Sequence, residues 1–209
     1  MYVVDRDFGF APNPFHGFCT LATCKPGIRS TAGVNDWVIG MGGGRLEATG
    51  RCIYAMRITE KITFDKYWAD PAYLDKKPVR NGSKKMMVGD NIYHRDTTGH
   101  WYQADSHHSK TDGSVNPDNL RNDTKSDKVL ISRHFYYFGI DAPVVPGNII
   151  SAIGFKNGIG HRIFEGDQCL SLIEWLHHNF GSYKNTIQAD PFYFRISHKR
   201  YSPEGNKIL

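Results

Sequence analysis

The residues best suited to chemistry lie far apart. The chain holds 10 His and 4 Cys. His16 and Cys19, in Asn13-Pro14-Phe15-His16-Gly17-Phe18-Cys19, come nearest to a nucleophile with its base. Such a pair must be within hydrogen-bond reach. Residues three apart in an extended segment point to opposite faces, so His16 is a poor base for Cys19. His16 and His134 remain the candidate acid/base groups, with Asp36 or Asp90 to orient the ring. Four residues separate Cys19 from Cys24, which is not a zinc-pair spacing. Cys19, Cys24, Cys52 and Cys169 read as free thiols, mostly buried. His107-His108 and His177-His178 are neighbours in sequence, and neighbours on a helix do not face one site. No HExxH, zinc-deaminase, GxSxG or kinase signature occurs. Neither a metal nor a cofactor is expected.

Three segments suit binding better than catalysis. Gly40-Met41-Gly42-Gly43-Gly44-Arg45 follows an apolar strand, but no GK[ST] comes after it. Arg45 stands where a GxGxxG pattern needs its last glycine, and a strand follows rather than a helix. The segment reads as a Gly-rich hairpin, or as an amide nest in which Gly42 and Gly43 meet an anion or a base. Lys25-Pro26-Gly27-Ile28-Arg29 sets two cations around a Pro-Gly turn. There Arg29 has the fork geometry to grip a phosphate, with Lys25 as a second charge. Ser132-Arg133-His134-Phe135-Tyr136-Tyr137-Phe138 is the densest aromatic run. As a strand it sets His134, Tyr136 and Phe138 on one face and Arg133, Phe135 and Tyr137 on the other. One face belongs to the core, and a second could stack on a base.

The elements that must carry these residues are mostly short strands. Phe18–Thr23, Trp37–Ile39, Arg51–Ile58, Val129–Ser132, His134–Phe138 and Phe192–Ile196 read as strands, and Ile149–Ile153 continues the β character. Thr63 begins a short helix with Phe64, Tyr67 and Trp68 on one face. The best helix starts near Asp167, with Leu170, Ile173, Trp175 and Leu176 as its stripe, and stops at Gly181. Residues 75–128 form a polar insertion. Within Asp105–Lys128 the only large apolar residues are Val115 and Leu120, so that part reads as a long or partly disordered loop. It is either a tolerated surface insertion or a cover over a site.

The order of segments resembles the nucleotide modification associated domain 2 family. The resemblance rests on Gly17–Arg29, Asp36–Gly40, Ile53–Glu60 with Thr63–Trp68, and Leu130–Gly139. It implies a DNA-modification or phage-conflict context, and a modified nucleotide or nucleic acid as partner. Asp-Trp-Val-Ile-Gly followed by a strand with Ile-Tyr-Ala-Met also resembles the PUA-like superfamily, including EVE, YTH and ASCH members. That likeness implies a small curved barrel with an aromatic-lined pocket.

The 209 residues suit one α+β domain, 1–209, with a curved mixed β-sheet or PUA-like barrel and two or three peripheral helices. A net charge of +5 is too small for a histone-like partner of nucleic acid. No apolar run is long enough for a membrane span, and acids stand where a signal peptide needs its basic start. A cytoplasmic location is expected, and a homo-oligomer is left open. The first expected function is a binding module for a modified base or nucleotide. Trp37 or an aromatic of 135–138, Tyr136 among them, would stack on the base, backbone amides and small polar side chains near Gly40–Gly44, including Gly42 and Gly43, would read its edge, and Arg29, Lys25 and Arg133 would hold phosphate. The alternative is a nucleotide- or base-modifying enzyme that uses His16 or His134.

Overall fold

The computed structural model describes residues 1–209, Gly166 by its backbone alone. Along the chain, β1 (Tyr2–Val4) and β2 (Cys19–Leu21) precede α1 (Pro26–Thr31). Then come β3 (Trp37–Gly42), β4 (Cys52–Arg57), β5 (Glu60–Thr63), α2 (Phe64–Ala69) and α3 (Lys84–Met87). A hairpin of β6 (Tyr93–Arg95) and β7 (Trp101–Gln103) leads to α4 (Pro117–Asp123), β8 (Lys128–Ser132) and β9 (His134–Tyr137). The chain ends with α5 (Gly147–Ile153), α6 (Leu170–Phe180) and the hairpin of β10 (Tyr201–Ser202) and β11 (Lys207–Ile208).

The result is a mixed α+β fold with several small sheets. One sheet has the order β1-β3-β4-β9, with β1 parallel to β3 and the other pairs antiparallel. A second, antiparallel throughout, has the order β2-β8-β5. The two share a pair of bent strands: β4 runs on into β5, and β8 into β9. At the bend Ser132 Oγ donates to Arg57 O at 2.6 Å and accepts from His134 N at 3.0 Å. Thr59 Oγ1 accepts from Arg133 N at 3.1 Å. Two hydroxyls thus satisfy backbone groups that a regular ladder would have paired. Among the described residues the sheets do not close into a barrel.

Burial explains the strand readings and their errors. β4 is central and buried on both faces, so its alternation has little meaning. Ile149–Ile153 belongs to a helix: Ile149 and Ile153, four apart, are its buried pair. A short apolar run does not distinguish helix from strand. Phe192–Ile196 is not a strand either, and Phe194–Ile196 forms a single 3-10 turn. The buried residues of α6 are Leu172 and Leu176, while Leu170 is exposed. Lys25-Pro26-Gly27 is no isolated turn: Pro26 opens α1, where its missing N–H costs nothing. Thr63 caps α2 as read, accepting from Lys66 N.

The largest correction concerns Asp105–Lys128. It holds α4, and Ser106, His107, His108, Ser109, Asn119 and Asp123 are buried. Polar side chains hold it in place of apolar ones. Asn119 Nδ2 donates to His108 O and Tyr201 O, and Gln103 Nε2 donates to His108 O. Ser109 Oγ accepts from Ser106 N and donates to Ala104 O. Satisfied polar groups can order a segment that has no apolar core of its own.

Candidate active site

Three residues remote in sequence meet in one line. Cys24 Sγ lies 3.6 Å from His108 Nε2, and His108 Nδ1 lies 2.7 Å from Asp123 Oδ2. This is the geometry of a nucleophile, a base and a group that orients the base.

Each member is held from several sides. After β2 the chain turns sharply into α1 at Cys24 and Lys25, with φ of 53° and 41°. Left-handed backbone at two consecutive residues with side chains is strained. Such a strand-to-helix elbow presents a nucleophile at the apex of a turn. The Asp123 carboxylate ties this turn to the base: Oδ1 accepts from Cys24 N at 2.8 Å, and Oδ2 accepts from Tyr93 OH at 2.9 Å as well as from His108. Asp123 is the last residue of α4, which Asn116 caps by accepting from Asp118 N and Asn119 N.

Arg29 binds the assembly together. Its Nε donates to Cys24 O, Nη1 to Ser126 O and Lys128 O, and Nη2 to Asp123 O. The side chain is fully buried. The reading of Arg29 as a phosphate ligand is therefore corrected: its donors face backbone carbonyls, and it braces both the Cys24 turn and the end of α4.

Electrostatics separates the two adjacent histidines. Burial alone would lower the pKa of His108, but the Asp123 carboxylate and Cys24 outweigh it and raise it to about 10. The imidazole is thus held charged between its two partners. His107 goes the other way. Burial and the charge of His108 lower it to about 3, and Nδ1 donates to Lys199 O at 2.8 Å. It is a neutral ring packed on Phe8 and Phe10. The helix rule that set this His-His pair aside does not apply, because the pair lies in a turn and both rings reach one cavity.

That cavity has a volume of about 170 Å³ and is lined by Cys24, His107 and His108 with Tyr2, Phe8, Phe10, Lys25, Arg6 and Tyr201. A cavity of roughly 150 Å³ holds one benzene-sized ring. Lys25 stands at its edge, exposed, with Nζ 4.8 Å above the Tyr2 ring.

The same three side chains can be weighed as a cation site, since their donor atoms lie within 4.8 Å of one another. Both His108 nitrogens are already engaged, one by each neighbour. A cation at Nε2 and Sγ would have Asp123 only as an outer partner, and two donors fall short of the usual four for zinc. The relay fits the geometry better.

The other residues singled out in the sequence lie elsewhere. His16 and His134 do not line this cavity. His16 is exposed, with φ of 60°. His134 packs with Trp37, Tyr136 and His177, its ring 5.2 Å from Trp37 and 5.5 Å from His177. Its Nε2 is buried without a partner among the described residues. Trp37 and Tyr136 stack at 6.5 Å, so the structure brings these three together, under α6. A separate groove of about 560 Å³ passes Trp37, Ile28 and Arg162. Tyr136 itself is buried.

Gly42 N and Gly43 N donate to Arg51 O and Val4 O, so they form no open nest. A Cβ on Gly42 would fall 2.2 Å from Ala48 O, which makes this glycine a packing requirement. Arg133 is exposed and lies over the Phe18 ring at 4.3 Å. Asp36 caps a turn by accepting from Gly33 N, and Asp90 is buried on Thr20 and Tyr67. Of the expected ligand residues, Lys25 alone borders the cavity that holds the relay.

Sequence reasoning missed Cys24, His108 and Asp123. The one local signal was a cysteine just before Lys25-Pro26-Gly27, where proline marks a helix start. The family model described as nucleotide modification associated domain 2 matches residues 1–198. No curated protein and no solved structure matches the chain, so the PUA-like likeness has no counterpart among these findings.

Proposed function

The chain belongs to the nucleotide modification associated domain 2 family, and from that premise we infer that it is a cysteine-dependent enzyme acting on a group carried by a nucleotide. The observation that carries this reading is the Cys24–His108–Asp123 line opening on a cavity. The reaction class it suits is acyl transfer to water. His108 holds the proton shared with Cys24, and the sulfur attacks the carbonyl carbon of the bound group. The leaving amine or alcohol takes a proton from Nε2, and a thioester remains. Water then adds to the thioester, gives its proton to His108, and frees the acid and Cys24. Asp123 keeps Nε2 aimed at sulfur throughout, through its bond to Nδ1.

Cavity size limits what enters. About 170 Å³ takes one ring-sized or smaller group, and the rest of the nucleotide stays outside. Phe10, His107 and Tyr201 supply ring surface, and Lys25 supplies charge for a phosphate at the mouth. A non-catalytic binding module built on Trp37, Tyr136 and Arg133 is the weaker reading, because Tyr136 is buried and Arg133 is engaged over Phe18.

The test is turnover of a panel of base-modified nucleotides, free and in oligonucleotides, followed by mass spectrometry. Native protein should convert at least one member. Cys24→Ala should abolish the conversion, by about a thousandfold or more. Equal turnover by Cys24→Ala would refute the assignment.

A further inference from the structure

Attack on a carbonyl creates an oxyanion, and something must donate a hydrogen bond to it. The amide nearest the nucleophile is taken: Cys24 N donates to Asp123 Oδ1. Among the hydroxyls lining the cavity, Tyr201 OH donates to Asn206 Oδ1. Tyr2 is different. Its oxygen accepts from Tyr54 OH at 3.0 Å, and its own proton has no acceptor among the described residues. Resting on the reading of Cys24 as nucleophile, we propose that Tyr2 is a further catalytic residue, whose hydroxyl donates to the substrate oxygen during attack by Cys24.

The surroundings fix this hydroxyl. Tyr2 lies in β1, directly opposite Gly40 of β3, and Gly40 is opposite Tyr54 of β4. A Cβ on Gly40 would fall 2.3 Å from Tyr54 Cε1 and 2.6 Å from Val4 Cγ2. The glycine therefore makes room for the Tyr54 ring, which is fully buried and meets Tyr2 edge-on with centroids 6.1 Å apart. Tyr54 donates and so orients the Tyr2 oxygen, leaving the Tyr2 proton free to point away from Tyr54. Lys25 Nζ above the Tyr2 ring adds positive potential beside the place where negative charge develops. The electron count closes. The sulfur pair forms the S–C bond, and the carbonyl π pair moves onto oxygen, where Tyr2 O–H meets it. The pair returns as the bond to the leaving group breaks, with His108 supplying that group's proton.

Two probes separate this role from a structural one. p-Nitrophenyl acetate acylates a thiolate through an oxyanion, whereas iodoacetamide alkylates it by displacement and forms none. Tyr2→Phe should slow acylation of Cys24 by about a hundredfold while alkylation stays within about twofold. Tyr54→Phe keeps the Tyr2 hydroxyl and should slow acylation by only severalfold, with alkylation unchanged. If acylation and alkylation fall together in Tyr2→Phe, or if neither falls, the role of Tyr2 is overturned while Cys24 stands. If Cys24→Ala is acylated as fast as native protein, Cys24 and Tyr2 fall together.

Discussion

At the scale of single residues, the two adjacent histidines are set against each other, and protein stability should record it. The folded chain leaves His107 unprotonated down to about pH 3, whereas an ordinary histidine takes its proton near 6.5. Its contribution to stability is therefore present above the unfolded value and lost as pH falls. His108 keeps a proton up to about pH 10. Its contribution is complete below the unfolded value and lost as pH rises through that range. Urea unfolding midpoints measured from about pH 4 to about pH 9 should show this directly. His107→Asn should weaken the acid-side loss of stability, and His108→Asn should weaken the alkaline-side loss. Slopes identical to those of the native protein in both variants would contradict the assigned charges. The same scale explains the tyrosine content. Tyr67, Tyr93 and Tyr137 are buried, and their hydroxyls donate to Asp90, Asp123 and Asp7. Tyr136, which the sequence offers as a base-stacking ring, is buried too, so these rings serve as core, several with a polar end that finds a partner.

At the scale of elements, the site is a junction of β2, α1, α4 and the turn after β7, and Arg29 is the tie between them. Replacing it by Met would leave the carbonyls of Cys24, Asp123, Ser126 and Lys128 without their buried donor. Each unpaired buried group costs about 1–3 kcal/mol, and a domain has only about 5–15 kcal/mol in total. Arg29→Met should therefore unfold, or melt far below the native protein in a calorimeter. Arg29→Lys, a point charge without the fork, should fall between the two. A melting temperature unchanged in Arg29→Met would show that the brace is dispensable. The longer central elements are legible, and most short edge strands and short helices are not. β2, β3, β4, β8, β9, α2 and the body of α6 follow from apolar runs, a threonine cap and a glycine stop. α5 and the 3-10 turn at Phe194–Ile196 were not, because both are short apolar runs whose conformation depends on what they pack against.

At the scale of the whole molecule, the polar segment between β7 and β8 is part of the site: His108 and Asp123 both come from it. Its amides should be protected. Hydrogen exchange over residues 104–126 is expected to be slow, close to that of β8, and fast exchange throughout would restore the reading of a disordered loop. Local signals carry the mixed α+β character, strands β2, β3, β4, β8 and β9 and the body of the strongest helix, because strand and helix periodicity and turn residues are local properties; the family follows from the order of the segments. The sequence also singles out Lys25, which the fold sets at the start of α1 and on the edge of the cavity. Folding alone brings the residues of the candidate site together. Cys24 and His108 are 84 positions apart, and His108 and Asp123 are 15 apart. No period or motif links them. Their meeting depends on Arg29, Asn119 and Gln103 pairing with backbone groups across the chain, and hydrogen bonds of that kind leave no pattern in a sequence until the loops have closed.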